Sequence, residues 1–465
     1  KRGSGVKRLL GIMLAGLMAA GAALGPASER AIILTLPTGP YIWGAALAVA
    51  ITALVAMAGG RLPQLRARVL FERRVVVGDG VTSGLAALGL WWLVLAGLFG
   101  THDPLANPLP LVLWTVIWVG LTILVVIFGN LWRDINPWRG PVRALRGLLR
   151  RQGGIGLARF GHLPAVLGYL AFAWFEIASL APDDPAKLAV VVASYWLVIL
   201  ALGVAEGEDW LDRGEFMSVY FALVARIAPF WAERQGARLR IMAGWPGAQI
   251  MRLPQLGAGM AAFVTLVIAS VSFDGLHETF WWLGKIGVNP LEYPGRSGVV
   301  GSSTVGLLAM WALMAGLIGA AIAIGLRVSG GHRGGFRAIA GPLMLSFLPI
   351  AAGYHIAHYL VALLTQGQYA IAAVDDPLDS GLHLLGLPDH WVSFGFLSQA
   401  GPVALIWQAQ VAIILGAHLL AVILAEKVSA RSGIVMTPLG KVPLVILMVL
   451  YTALGLWLLA SPAVS

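Results

Sequence analysis

The stretch GPLMLSFLPIAAGYHIAHYLVALLTQGQ, Gly341 to Gln368, indicates the fold most directly. It exceeds the roughly 20 apolar residues that cross a bilayer as a helix, yet it carries His355 and His358. At positions i and i+3 the two imidazoles share one helix face. Pro349 and Gly353 precede them and predict a kink or a local opening of the hydrogen-bond ladder. Membranes tolerate such breaks where protein or water satisfies the backbone, so this helix is expected to face protein or a cavity.

The whole chain has the same apolar character. Of its 465 residues 58% are hydrophobic and 12% are charged, whereas soluble proteins carry about 25% charged residues. Ten apolar segments have about the length of a span, at about 41–59, 82–100, 110–131, 163–181, 188–205, 257–273, 300–326, 339–366, 403–425 and 441–460. The sequence therefore predicts an all-α fold, a polytopic transmembrane helical bundle of about ten spans, with residues 30–465 as a single membrane domain.

Residues 1–29 have the form of a secretory signal. Four basic residues precede an apolar run, and small residues follow at Pro26, Ala27 and Ser28. The alternative is an uncleaved signal-anchor that forms an additional first span. Either interpretation places Glu29 and Arg30 outside the cytoplasm.

Basic residues concentrate in alternate loops, which is the positive-inside pattern. It predicts a cytoplasmic basic loop at 132–161, a cytoplasmic or interfacial segment at 206–256, and periplasmic loops at 274–299 and 367–402. The apolar run in 206–256 is too short for a span and suits an interfacial or re-entrant helix. These features predict a multi-pass protein of the bacterial inner membrane. The net charge of +10 then indicates contact with anionic lipids at the cytoplasmic loops, not nucleic-acid binding.

The chain contains no cysteine. Disulfides, thiolate metal sites, iron–sulfur clusters and cysteine nucleophiles are therefore excluded.

Polar residues inside the spans lie at similar depths near the outer end. Glu176 lies roughly 7 Å deep, and His358 and His355 lie roughly 12 and 16 Å deep, at 1.5 Å of helix per residue. Five further residues complete a predicted polar cavity that opens to the periplasm: Gln408, Gln410, Asp274, His277 and Tyr354.

Three roles stay open for Glu176, His355 and His358. Two histidines and a carboxylate could bind zinc, iron or manganese and act as catalytic residues through a metal-activated water. Without a metal, Glu176 and a histidine could form a proton relay. The histidines could also serve only as hydrogen-bonding contacts between helices.

Haem is a further cofactor hypothesis, because facing histidines on adjacent helices can bind its iron. His418 in the ninth apolar segment is the candidate partner. It lies roughly 22 Å below the outer end of its helix, deeper than His355 and His358. Haem is therefore less favoured than a divalent metal.

Several strings resemble a family of bacterial inner-membrane proteins described as fenitrothion hydrolase-like. The matching strings are ERAIILTLPTGPYIWGAALAVAITA, HDPLANPLPLVLWTVIWVGL, GNLWRDINPWR, DWLDRGEFMSVYFALVARIAPF, SVSFDG, PIAAGYHIAHYLVALLTQGQ and WQAQVAIILGAHLLAVILAE. The resemblance implies organophosphate triester hydrolysis in a membrane complex. Three functions stay open: a metal-dependent hydrolase, a small-solute or ion transporter, and a membrane subunit that binds a redox or periplasmic protein partner.

Overall fold

The structure is a computed structural model. It describes residues 33, 36–59, 62–74, 78–236, 238–253, 256–330, 335–377, 381, 383–388, 391–434 and 436–464. The signal predicted at residues 1–29 lies outside the described residues.

Twelve helices organise the described chain. They are α1 Thr38–Met57, α2 Asp79–Phe99, α3 Pro108–Phe128, α4 Leu163–Ala178, α5 Pro185–Glu206, α6 Phe216–Val224, α7 Ala258–His277, α8 Arg296–Val328, α9 Ile339–His358, α10 Leu360–Asp375, α11 Ala400–Arg431 and α12 Pro438–Ala460. Among the described residues, nine of these helices are long and apolar enough to cross a membrane; α4, α6 and α10 are not among the nine. The predicted multi-pass helical bundle is confirmed.

Helix α4, which the sequence predicted as a span, has 16 residues. It lies beside α7 along its length and in the same direction. His162, at its start, is close to Gly259, and Tyr169 Oη lies 2.9 Å from Ser270 Oγ. At its end, Glu176 reaches the level of Asp274. Although it has only 16 residues, α4 therefore runs beside α7 from near Gly259 to near Asp274.

The stretch Gly341–Gln368, predicted as one helix, is divided at Tyr359 between α9 and α10. Helix α9, which carries both histidines, is the most enclosed of the nine long helices among the described residues, as its histidines predicted. In the most apolar 18-residue segment of α9, 89% is buried, against 28% in the corresponding segments of α1, α2, α5 and α8. The peripheral helices expose large apolar side chains such as Trp43 and Leu88, as expected of lipid-facing helices. Helix α9 is thus a central helix surrounded by protein.

The predicted irregularity in α9 lies one turn before Pro349. A 3₁₀ turn occupies Leu345–Phe347, and Pro349 begins the α-helical part that follows, where it needs no backbone donor. Gly353 has a packing role. A Cβ built there would lie 2.5 Å from the Cβ of Ala417 in α11, so glycine permits the close approach of α9 and α11.

A small sheet, which the all-α prediction did not include, lies at one end of the bundle. Strands β1 Ala67–Arg74, β2 Phe230–Gln235 and β3 Arg238–Gly244 pair antiparallel in the order β1–β3–β2. Glu72 in β1 forms an ion pair with Arg240 in β3 at 2.6 Å. We call this end of the bundle the sheet end and the other the cavity end.

Helix α6, in the segment 206–256, is buried against other helices of the bundle. Its N-terminal residue is preceded by Glu215, which is fully buried and accepts hydrogen bonds from the backbone amides of Met217 and Ser218 at 2.8 and 2.6 Å. The Ser218 and Tyr195 hydroxyls donate to the same carboxylate at 2.6 and 2.8 Å. Asn136 Nδ2 in turn donates to Ser218 Oγ at 2.9 Å. This Glu215 cluster joins α5, α6 and the loop after α3.

The acidic segment after α5 pairs with the basic helix Arg139–Leu148. Arg139 contacts Glu208 at 3.4 Å and also Asp212, and Arg143 contacts Glu208 at 2.8 Å and Asp79 at 3.3 Å. Partial burial works to raise the pKa of Glu208, but hydrogen bonds and charge from the two arginines hold that pKa below its usual value. These arginines are therefore already neutralised within the protein.

Candidate functional site

A polar cavity of about 370 Å³ lies at the cavity end. It is lined by parts of α3, α4 and α7 to α12 and reaches the surface at the exposed Asp183. Its charged or titratable lining consists of Glu176, Asp183, Asp274, Glu278, Arg296 and His358. Four carboxyl groups therefore face one guanidinium and one imidazole, and the cavity favours a proton or a cation over an anion.

Four side chains in this cavity form one hydrogen-bonded chain. His358 Nε2 lies 2.7 Å from Asp274 Oδ2, and Tyr359 Oη lies 2.8 Å from both Asp274 Oδ2 and Glu176 Oε1. The order along the chain is His358, Asp274, Tyr359, Glu176. Three helices, α4, α7 and α9, thus meet through the Tyr359 hydroxyl.

The hydrogen-bond contacts also limit where the protons of these four side chains lie. A tyrosine hydroxyl donates one hydrogen bond, so it cannot donate to Asp274 and Glu176 together. Asp274 Oδ2 also faces His358 Nε2, a second donor, which makes Asp274 the carboxylate that accepts. In the tautomer in which His358 Nε2 carries a proton, the 2.8 Å contact between Glu176 and Tyr359 fits a hydrogen bond that a protonated Glu176 donates to the Tyr359 oxygen. The geometry is thus consistent with one carboxylic acid and one carboxylate in the pair.

The local fold explains why these residues meet. Helix α9 ends at His358, and Tyr359 leaves helical geometry with ψ of 7° before α10 begins. Asp274 lies in the last turn of α7, inside the helix and not in the predicted loop 274–299. Arg296 Nη1 donates to the carbonyl oxygens of Glu176 and Ile177 at 2.6 and 3.4 Å. It satisfies carbonyls that α4 leaves unpaired at its C-terminus.

Asp183 lies in the loop after α4, at the mouth of the cavity. Asp183 is exposed as a residue, but the surrounding cavity wall desolvates its carboxyl group and raises the pKa, while the charge of Arg296 works to lower it. Its side chain makes no hydrogen bond with the described residues. Asp183 is therefore a residue of the cavity wall that lies outside the hydrogen-bonded chain.

His355 does not join the cavity, which corrects the predicted metal set of Glu176, His355 and His358. Its Nε2 donates to the carbonyl oxygen of Trp118 at 2.9 Å, and its ring is fully buried against Trp118 and Tyr359. Trp118 lies in a π-helical stretch of α3, Leu111–Leu121. Within the described part of the chain, no three His, Asp or Glu side chains form a group that could hold a metal ion. The predicted zinc, iron or manganese site does not fit this geometry.

Of the four other predicted cavity residues, Gln410 lines the cavity, whereas Tyr354, His277 and Gln408 do not. Gln410 lines the cavity and donates from Nε2 to the Ala357 carbonyl at 2.9 Å. Tyr354 stacks on His358 with ring centroids 6.0 Å apart. His277 lies beside Asp274, and its Nδ1 is 2.8 Å from the Asp274 backbone oxygen, but it does not line the cavity. Gln408 is exposed on the opposite side of α11 and contacts Tyr41.

His418 does not fit the haem hypothesis. It is 2% exposed, and its ring centroid lies 5.9 Å from that of Tyr451. Its Nδ1 donates to the Ile414 carbonyl in its own helix at 2.9 Å. The described residues that line the cavity do not include His418 or His355, so the two histidines share no site for an iron.

Sequence reasoning missed Tyr359, which joins the two carboxyl groups, and Arg296, which caps α4. A tyrosine directly after His358 in an apolar segment was the available signal for the first. Arg296 was treated as part of a loop, and its contact with α4 depends on packing between distant segments.

A second cavity of about 400 Å³ lies at the sheet end and has the opposite charge. Its lining includes Arg73, Arg74, Arg133, Arg226 and Arg234, with only Asp79 and Asp134 as acidic residues. Arg234 pairs with Asp79. The anionic lipids predicted for the basic loops would thus meet more unpaired guanidinium groups here than on the helix Arg139–Leu148, where Arg139 and Arg143 are already paired.

No protein-family model, curated protein or solved structure matches this chain. The resemblance to fenitrothion hydrolase-like proteins stays a prediction.

Proposed function

We propose that the protein is a proton-exchanging transporter, in which the cavity proton on Glu176 is exchanged for a small cation. The observation that supports this is the single Tyr359 hydroxyl placed 2.8 Å from each of two carboxyl groups. Removing the proton would leave two carboxylates in contact with one donor in a partly enclosed site. A bound cation would relieve that repulsion, so the proton and the cation compete for the same pair.

Infrared spectroscopy can test this proposal. In pH difference spectra of the purified protein in lipid, we expect a carboxylic-acid C=O band that Glu176→Gln removes. Asp183→Asn is the matched control, since it changes a carboxyl of the same cavity outside the hydrogen-bonded chain and should keep the Glu176 band. Sodium, potassium or methylammonium is then added at fixed pH. At least one of them should reduce the band, because a cation in the cavity displaces the proton.

Two results would count against the proposal. If the parent spectrum has no carboxylic-acid band that Glu176→Gln removes, Glu176 does not carry the proposed proton. If none of the three cations reduces the band, the cavity does not exchange its proton for a cation. That result would favour a membrane subunit whose protein partner carries out the chemistry.

The proposal includes the location and orientation of the chain. We infer a bacterial inner-membrane protein with ten spans, α4 among them, whose cavity end is periplasmic and whose sheet end is cytoplasmic. It is supported by the arginines that gather at the sheet end and by α4 running beside α7. Because the chain has no native cysteine, single cysteines give labelling without background.

A cysteine at Ser432 should react with an impermeant maleimide only after cells are opened, and one at Asp183 should react in intact cells permeable at the outer membrane. The control is Asp183→Ala in the same cysteine-free chain, which should not be labelled. Reaction of the Ser432 site in intact cells would reverse the proposed orientation.

Phosphotriester hydrolysis is the second candidate, favoured by one observation. Asp274 orients His358 through Nε2 at 2.7 Å, which leaves Nδ1 as the ring nitrogen that could take a proton from an attacking water. A neutral triester would enter an acidic cavity without charge repulsion. Purified protein that releases no product from a neutral aryl phosphotriester, with or without added divalent metal, would remove this candidate.

A further inference from the structure

A continuous line of contacts joins the cavity to the sheet end along helices α11 and α12. Ile414 approaches Gly455, and His418 packs on Tyr451 with ring centroids 5.9 Å apart. Val422 and Met448 then line one small cavity. Lys441 Nζ lies 2.7 Å from Glu426 Oε2 at the far end. The helices run antiparallel in one register, and we call this line of contacts the seam.

The cavity end of the seam is polar. Gln410 and Leu458 both line the acidic cavity. A Cβ built on the cavity-lining Gly275 would lie 2.8 Å from Tyr354 Oη and 3.6 Å from His358 Nδ1. The Tyr354 hydroxyl therefore lies directly behind the cavity wall, beside the hydrogen-bonded chain.

Three buried polar atoms near the seam have no hydrogen-bond partner among the described residues. They are Gln410 Oε1, Tyr354 Oη and His418 Nε2, on side chains that are each at most 3% exposed. A buried polar atom without a partner lowers stability, and these three lie beside one seam. Buried water bridges such groups where the site is polar and has room.

Hydrogen bonding fixes the roles of the middle groups. Ser272 Oγ donates to the Ile268 carbonyl at 2.6 Å, so Tyr451 must donate to Ser272 Oγ, also at 2.6 Å. A carbonyl only accepts, so His418 Nδ1 carries the proton in its bond to Ile414. The neutral His418 ring therefore presents Nε2 as an acceptor deep in the bundle.

An apolar interval separates His418 from Glu426. The two residues are eight positions apart, roughly 12 Å of helix, and the side chains that fill this interval include Val422, Leu444 and Met448. The cavity that they line with Glu426 and Lys441 has a volume of about 40 Å³, room for about one water. This interval is the narrow point of the seam.

We propose that the seam is a proton pathway from the acidic cavity to the Glu426–Lys441 pair, with His418 as its central relay. A proton released from Glu176 passes by way of water and the Tyr354 hydroxyl to the Tyr451 oxygen, whose own proton turns from Ser272 Oγ to His418 Nε2. The ring then carries N–H on both nitrogens and a positive charge, which it loses when the proton moves on toward Glu426. One proton crosses, and only N–H and O–H bonds change. The pathway rests on the proposed cavity proton.

Proton uptake by vesicles tests the pathway. The full chain is reconstituted in liposomes that contain pyranine, and a valinomycin-induced potassium diffusion potential drives protons inward. Vesicles with the parent protein should acidify faster than protein-free vesicles. His418→Leu should slow this uptake by about tenfold or more, since an apolar side chain gives a buried proton no acceptor. Tyr451→Phe, which keeps the ring and removes one hydroxyl, should slow it less.

The control is Gln408→Leu, a polar-to-leucine change in the same helix on the exposed side away from the seam, which should leave uptake unchanged. Parent vesicles no faster than protein-free ones would overturn the pathway. Equal uptake by folded His418→Leu and the parent would also overturn it. If His418→Leu does not fold, unchanged uptake in both Tyr451→Phe and Tyr354→Phe decides against it.

The cavity and the pathway can fail separately. His418→Leu should keep the infrared band of Glu176, and Glu176→Gln should remove it. If vesicles with Glu176→Gln take up protons as fast as those with the parent, while vesicles with His418→Leu do not, the result supports the pathway and contradicts the proposed proton on Glu176.

Discussion

Asp274→Asn is expected to destabilise the protein by about 2–3 kcal/mol, the contribution of a hydrogen bond to a charged group. Asp274 Oδ2 lies 2.7 Å from His358 Nε2 and 2.8 Å from Tyr359 Oη. Both contacts end on the same oxygen, and an asparagine amide oxygen in its place carries no negative charge, so both hydrogen bonds lose the charge assistance that makes them roughly twice as strong as neutral ones. Unfolding free energies in mixed lipid–detergent micelles measure the loss.

The same substitution should also remove the infrared band of Glu176. With Asp274 neutral, the Tyr359 hydroxyl is free to donate to Glu176, and Glu176 can then ionise. Cation exchange should therefore be lost together with the band. Removal of the band in a folded protein separates this chemical effect from general damage to the structure.

Asp183→Asn provides the matched control for Asp274→Asn. It makes the same chemical change in the same cavity, at a side chain that makes no hydrogen bond with the described residues, so stability should change by about 0.5 kcal/mol or less. Equal losses for the two variants would show that the carboxyl groups act only through the net charge of the cavity. The hydrogen-bonded chain would then have no special role.

Glu215→Ala is expected to have the larger effect on stability, about 3–5 kcal/mol, as for breaking a buried charged network. Four donors would lose their acceptor: the amides of Met217 and Ser218 and the hydroxyls of Ser218 and Tyr195. Glu215 is fully buried, so bulk water cannot readily replace it. Glu215→Gln should cost less, about 2–3 kcal/mol, since one amide oxygen still accepts.

Glu292→Ala is the control for the Glu215 cluster. Glu292 is exposed, and its side chain makes no hydrogen bond with the described residues, so we expect a change within about 0.5 kcal/mol. The infrared band of Glu176 should remain in Glu215→Gln, because the cluster lies outside the cavity. A loss below about 1 kcal/mol for Glu215→Ala would mean that α6 does not depend on this cap.

The helices could be predicted because each span must satisfy its own backbone and present an apolar surface of fixed length. The segment predicted at 403–425 is part of α11, and the segment at 441–460 is part of α12. The sheet was missed because β1 pairs with β3, which lies more than 160 residues later in the chain. Short Arg-rich strands carry too weak a local pattern to indicate such a pairing.

Depth along a helix was readable from the sequence, but rotation and packing were not. Counting residues placed Glu176, His358 and Gln410 at one level, and these three do line one cavity. The same count placed His355 and Gln408 with them. His355 instead donates to a carbonyl of the π-helical stretch in α3, and Gln408 is exposed. A hydropathy pattern does not specify which neighbouring helix meets each face.

The sequence by itself determined that this is a multi-pass helical membrane protein with ionisable groups gathered near one end of its spans, since hydrophobic length and loop charge are local properties. Only the tertiary structure decided what those groups do together. The hydroxyl of Tyr359 lies between carboxyl groups carried by α4 and α7, and hydrogen bonds require atoms within about 3 Å in a defined direction. That placement depends on how α4, α7 and α9 pack together, and no single stretch of the chain encodes it.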